Sequence, residues 1–290
     1  MRHETVLLSV PGTSAPTELV TYVPDHFPEL GKGRLRPALI LCPGGGYHCL
    51  SPREDEPVAL RFAGLGYAVF VLHYHVAPHV RYPIPQRQLL AAIDHVRTNS
   101  GAYHVDPCAV IPMGFSAGGH LACCAATLWN KAEIYRPLKK RAGAFRPDGA
   151  VLCYPVITSG PMAHRPSIQQ LLGEQYEEKK DLVSLEKRVT GKTPPIFLWH
   201  TADDTTVPVE NALLLERAMK ARGLDVECHI YPHGSHAQSL ADRTVFSPEN
   251  LWQLSVPCAV WVSQCDAWLQ RTFVHDFPPA GRQNEGGKHP

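Results

Sequence analysis

Short apolar runs alternate along this chain with segments whose apolar residues recur at helical spacing. Ala38–Cys42 is a continuous apolar run held between Pro37 and Pro43, the pattern of a strand buried on both faces. Tyr67–Leu72, Gly149–Tyr154, Ile196–His200 and Val226–Tyr231 repeat that pattern, and Ala109–Pro112 gives a shorter strand followed by Gly114. Leu89, Ile93 and Val96 stand at i, i+4 and i+7, which predicts an amphipathic helix over Pro85–Arg97. Further helices are predicted over Pro57–Ala63, Val209–Arg222 and Leu254–Leu269. Ala117–Leu128 is small and apolar throughout, so it predicts a buried helix. Val6–Val10 and Leu19–Val23, separated by Pro11, Gly12 and Pro16, read as early edge strands. Strands and helices alternating over this length predict an α/β fold: a mostly parallel sheet with helices on both faces.

Between Thr158 and Thr193 the pattern gives way to polar sequence, EQYEEKKD and then SLEKRVTGK. This stretch is expected to be an excursion beside the site, too short for a domain of its own and at most a minimal cap. One domain is expected over residues 1–277, followed by a disordered Gly/Pro/charged tail from Pro278 to Pro290. With 44% hydrophobic and 19% charged residues, the chain has the composition of a globular protein with a real core. A net charge of +1 supplies no field for nucleic acid or an anionic membrane, so neither is an expected partner. No run of 18 apolar residues exists. The start, MRHETVLLSVPG, lacks the apolar stretch of a signal peptide, so a cytoplasmic location is the expectation. The nine cysteines form no C-x-x-C pair and no zinc-type Cys/His spacing. They read as buried free thiols, several in apolar runs (Cys42, Cys108, Cys123, Cys124, Cys153), and no metal or other cofactor is expected.

Four motifs carry candidate chemistry. Gly114-Phe115-Ser116-Ala117-Gly118 is a G-x-S-x-G turn between a predicted strand and a predicted buried helix. Such a turn is tight, and the glycines two before and two after Ser116 clear the backbone. Pro43-Gly44-Gly45-Gly46-Tyr47 follows an earlier strand; its amides, with that of Ala117, are placed to donate to a forming oxyanion. No G-K-[ST] follows these glycines, so a phosphate cradle fits poorly. His200-Thr201-Ala202-Asp203-Asp204 ends a strand and leads into Val207-Pro208, where a carboxylate can orient a base. Asp204, four before Pro208, is favoured, with Asp203 as rival. Tyr231-Pro232-His233-Gly234-Ser235-His236 follows the last strand and supplies the base, His236 being favoured over His233. Tyr47 and His48 are candidates for lining the pocket, while His120 reads as a packing or hydrogen-bonding residue. Asp94 and Glu56 are given no role.

The stretches CPGGGY, LHYHVAP, GFSAGGHLA, HRPSIQQLLG, SLEKRV, PPIFLWHTADDTTVPVEN and IYPHGSHAQSLA together resemble the bacterial acetylxylan and feruloyl esterase-like α/β-hydrolases, from about Leu39 to Leu269. Members of that family frequently carry the name xylanase. The resemblance implies an α/β-hydrolase fold with a sheet of about eight strands, no metal, and hydrolysis of short acyl esters, acetyl groups on plant sugars or aryl esters. Carried over by position, it assigns Ser116, Asp204 and His236 as catalytic triad, in the Ser…Asp…His order of the fold. It assigns the amides of Gly45, Gly46 and Ala117 as oxyanion hole. The chain departs from the family at His75, where arginine is usual, and at Ala237, where glycine often follows the histidine. Two other readings share parts of the pattern. A peptidase of the prolyl-oligopeptidase type uses the same elbow and D-x-x-V-P loop, normally with a propeller for which this chain has no room. A non-catalytic ligand-binding protein on this fold tends to lose one of the three residues.

Overall fold

The structure, a computed structural model, describes residues 1–31 and 33–274. The expected tail Pro278–Pro290 therefore lies outside the described residues. Eight strands form one sheet: β1 (Thr5–Leu8), β2 (Thr17–Tyr22), β3 (Arg36–Cys42), β4 (Ala68–His73), β5 (Val105–Phe115), β6 (Ala150–Cys153), β7 (Ile196–Thr201) and β8 (Val226–Tyr231). Their order across the sheet is β1-β2-β4-β3-β5-β6-β7-β8. Only the pairings of β2, with β1 and with β4, are antiparallel. From β4 to β8 every pairing is parallel, which requires crossovers and so covers both faces with helices.

Period-2 alternation sorts the strand residues between two cores. On β3, Ala38, Ile40 and Cys42 join one core, which packs against the helices Ile84–Thr98, Ala117–Leu128 and Glu210–Lys220. Leu39 and Leu41 face the other, which packs against Glu56–Gly64 and Trp261–Phe273. β3 is buried along its whole length, the reason Ala38–Cys42 is apolar without a break. Each such Leu or Ile contributes roughly 1.5–3 kcal/mol of burial. No helix among the described residues is long and apolar enough to cross a membrane.

Three elements differ from the sequence expectation. β5 is longer than Ala109–Pro112, running from Val105 to Phe115; Pro112 stands in register with Ile40 of β3, one residue before pairing with β6 starts at Met113. The closing helix starts at Trp261, not Leu254. Pro257 disfavours α geometry in the residue before it, and Val256–Val260 forms a 3-10 turn instead. Residues 158–193 look polar but bury Ile168, Leu171, Leu172, Val183, Leu185 and Val189 in the first core. Their hydrophobic positions are too widely spaced to read as a continuous run.

The register of the parallel strands sets where the loops emerge. Cys42 of β3 pairs with Gly114 of β5, Phe115 with Cys153 of β6, Cys153 with Trp199 of β7, and Thr201 with Tyr231 of β8. The chain therefore leaves β3, β5, β7 and β8 along one edge, and the four motifs follow those strand ends.

Candidate active site

Ser116 occupies the turn between β5 and the helix Ala117–Leu128 with φ 52° and ψ −116°. A non-glycine residue held there stores roughly 1–3 kcal/mol of strain, so its surroundings must fix it. They do so through the backbone: the Ser116 N–H donates to Cys153 O at 3.0 Å. The N–H groups of His120 and Val156 donate to Ser116 O at 3.0 and 3.1 Å. The flanking glycines are obligatory. A Cβ on Gly114 would lie 2.0 Å from Gly118 O, and one on Gly118 would lie 2.0 Å from Cys42 O. The elbow is thus wedged against the end of β3, which brings the glycine loop beside the serine.

His236 Nε2 lies 2.8 Å from Ser116 Oγ, and its Nδ1 lies 2.6 Å from Asp204 Oδ2. A carboxylate only accepts, so Nδ1 carries the proton and Nε2 accepts from the serine hydroxyl. The other Asp204 oxygen accepts from the N–H groups of Thr206 and Val207 at 2.9 and 3.0 Å. His200 Nε2 lies 3.3 Å from Asp204 Oδ2 and 2.9 Å from Val207 O. Burial by itself raises the Asp204 pKa; hydrogen bonds from His200 and His236 outweigh it and hold the carboxyl well below its usual range. Asp204 is buried, and Ser116 is only 8% exposed.

The rival residues pair with each other. Asp203 accepts from the Gly234 N–H at 2.7 Å and meets His233 Nδ1 at 3.1 Å on the surface. That pair ties the loop after β7 to the loop after β8, while Asp204 and His236 turn inward from the same two loops.

The glycine loop is partly exposed at Gly45 and Gly46. Both have positive φ, 121° and 62°. Among the described residues, the N–H groups of Gly45, Gly46 and Ala117 have no acceptor. Tyr47, by contrast, is a correction. Its side chain is 1% exposed and packs inside the protein; its hydroxyl lies 2.8 Å from His120 Nδ1. At φ 62° the backbone directs it into the core, edge-on to Tyr74. His120 Nε2 donates to Val183 O at 2.9 Å, and burial pulls this histidine down to about 4, so it is a neutral packing residue. His48 is exposed, and its Nδ1 comes within 2.9 Å of where a Cβ on Gly46 would stand.

Sequence reasoning passed over several neighbours of this site. Ser167 Oγ lies 3.7 Å from that same Gly46 Cβ position and 2.8 Å from His164 Nδ1. Burial first, and then the field of His236, pulls the His164 pKa down. Glu54 and Tyr154 are two more: they are hydrogen-bonded to each other, and the Tyr154 ring lies edge-on to His236. Both departures from the family have a structural setting. Ala237 has φ 65°, a conformation that glycine adopts without steric cost. His75 lines a cleft of about 840 Å³ together with His73, His79 and Leu50; Ser116, Asp204 and His236 are not part of its lining. Cys108, read as buried, is exposed, as is Cys49; all nine cysteines are free. Among the described residues no group of three or more His, Cys, Asp or Glu side chains could hold a metal ion.

The sheet order and the strand-end placement of this hydrogen-bonded trio define the class, the α/β-hydrolases. The BD-FAE family model matches residues 26–219, and the chain belongs to that family. Endo-1,4-beta-xylanase B of Butyrivibrio fibrisolvens is 33% identical over 231 residues, 78% of this chain and 36% of that one. The acetylxylan esterase of Xylanibacter ruminicola is 32% identical over 216 residues, 72% of this chain and 42% of that one. The chain therefore spans less than half the length of these two curated relatives. Among solved structures, the acetyl ester-xyloside bifunctional hydrolase from Caldicellulosiruptor lactoaceticus superposes with a TM-score of 0.78 at 35% identity. That match covers 93% of this chain and 96% of the other. The carboxylesterase Cest-2923 from Lactobacillus plantarum WCFS1 gives a TM-score of 0.81 at 28% identity, covering 93% and 98%.

Proposed function

We propose that the chain is a serine carboxylesterase that hydrolyses short acyl esters, acetyl groups on plant-derived sugars such as xylo-oligosaccharides foremost. One observation carries the reading: Ser116, His236 and Asp204 form a continuous hydrogen-bonded line beside three amides that have no acceptor among the described residues. In this reading Ser116 Oγ attacks the ester carbonyl as His236 Nε2 takes its proton. Asp204 holds the Nδ1 proton and stabilises the imidazolium that forms. The Gly45, Gly46 and Ala117 N–H groups donate to the developing oxyanion, each worth about 3–4 kcal/mol of barrier. His236 then passes its proton to the leaving alkoxide. A water, deprotonated by His236, cleaves the acyl-enzyme and frees the acid.

The acetyl and sugar preferences are supported by the names of the relatives and the xyloside-hydrolase neighbour. The test is a release screen on acetylated xylo-oligosaccharides, feruloyl esters and peptide p-nitroanilides, run beside p-nitrophenyl esters of increasing chain length. Acetate release and a preference for p-nitrophenyl acetate are expected, both abolished in Ser116→Ala. Faster turnover of the octanoate or of a peptide anilide contradicts the assignment.

A further inference from the structure

Glu54 is a buried carboxyl, 1% exposed, and no basic side chain among the described residues forms a salt bridge with it. Burying such a group costs several kcal/mol unless its oxygens are well satisfied. Both are. Oε2 accepts from the Gly44 N–H at 2.7 Å, and Oε1 accepts from the Tyr154 hydroxyl at 2.7 Å. The Tyr154 oxygen in turn accepts from the Ser239 N–H at 2.9 Å. Gly44 opens the glycine loop, and Ser239 stands three residues beyond His236.

The turn that carries Glu54 grips the same two loops a second time. The Ser51 N–H donates to Gly44 O at 3.0 Å, so Gly44 is held by both its backbone groups. The Ser239 hydroxyl donates to Arg53 O, and Ser239 O accepts from Trp261 Nε1 at 2.9 Å. The Tyr154 ring lies edge-on to the His236 ring with centroids 5.1 Å apart. A Cβ on Gly44 would fall 2.6 Å from Glu54 Oε2 and 3.2 Å from Ser116 Cβ. The first glycine of the loop is thus demanded by Glu54 and the serine behind it, independently of any substrate.

We propose that Glu54 is a positioning residue: through Gly44 on one side and Tyr154–Ser239 on the other, it sets the oxyanion amides and His236 in fixed register about Ser116. The inference rests on the esterase reading. It predicts that loss of the strut lowers turnover while leaving ground-state binding alone, because the misplacement falls on groups that act in the transition state.

The experiment measures kcat and KM on p-nitrophenyl acetate for the parent, Ser116→Ala, Glu54→Ala, Glu54→Gln and Tyr154→Phe, with folding checked by circular dichroism. For Glu54→Ala, kcat is expected to fall about 100-fold, the scale of a 1 Å misplacement, with KM within about threefold. Glu54→Gln recovers about tenfold of that loss, since its amide oxygen still accepts from Gly44. Tyr154→Phe cuts only the histidine branch, so it lowers kcat less, and added to Glu54→Ala it costs nothing further. If Glu54→Ala fails to fold, the isosteric Gln and Phe variants decide. Folded Glu54→Gln and Tyr154→Phe enzymes that both keep kcat within about twofold of the parent overturn the proposal. So does a loss that appears in KM or in melting temperature alone. Retained activity in Ser116→Ala strikes the esterase reading instead, so the two failures are told apart.

Discussion

Asp204 shows how a single side chain is specified by everything around it. Two amides and two imidazoles converge on a buried carboxylate, whereas its neighbour Asp203 makes a surface pair with His233. Asp204→Asn is expected to lower kcat by about 10³–10⁴-fold, because the amide favours the wrong His236 tautomer. Asp203→Asn is expected to stay within about twofold, as befits an exposed pair. The same contrast applies to stability. A carboxyl whose folded pKa lies below its ordinary 3.8 stabilises the fold above that pH, and the contribution is lost as pH falls through the folded value. The urea midpoint of the parent should therefore exceed that of Asp204→Asn at pH 7, and the gap should close as the pH is taken below 3.8. A gap that widens on acidification contradicts this account. The sequence narrowed the choice to two adjacent aspartates and two nearby histidines. Spacing from Pro208 and Gly234 favours Asp204 and His236, and the loop conformation agrees, since residues one and three apart on the same loops face opposite ways.

At the scale of elements, the elbow is a packing device before it is a chemical one. Ser116 is left-handed in φ, and the helix after it starts so close to β3 that a Cβ on Gly118 would run into the Cys42 carbonyl. Gly118→Ala puts a methyl 2.0 Å from that oxygen, where only backbone can yield. A loss of about 3 kcal/mol or more is expected in urea unfolding, beyond ordinary overpacking. An unchanged midpoint would show that the turn relaxes freely. These elements were legible because alternation, apolar runs and glycine spacing are local signals. Ala117–Leu128 emerged with the bounds its composition predicts. β5 and the closing helix did not, because Pro112 is tolerated by a pairing register and Pro257 converts one turn to 3-10 geometry.

For the whole molecule, the central fact is convergence over distance in sequence. Ser116 and His236 are 120 residues apart, and Asp204 and His236 are 32 apart, yet parallel register delivers their loops to one edge of the sheet. The order of the motifs made that meeting foreseeable. Glu54 was not foreseeable, because its two partners lie 10 and 100 residues away and no spacing rule connects them. The most direct measurement is mass-spectrometric peptide mapping after reaction with diethyl p-nitrophenyl phosphate. There the activated serine oxygen bonds to phosphorus as p-nitrophenolate leaves. The account predicts a single diethylphosphoryl adduct per chain, on the peptide carrying Ser116, appearing in step with the loss of ester hydrolysis. An adduct on another residue, or full hydrolysis by fully labelled protein, contradicts it.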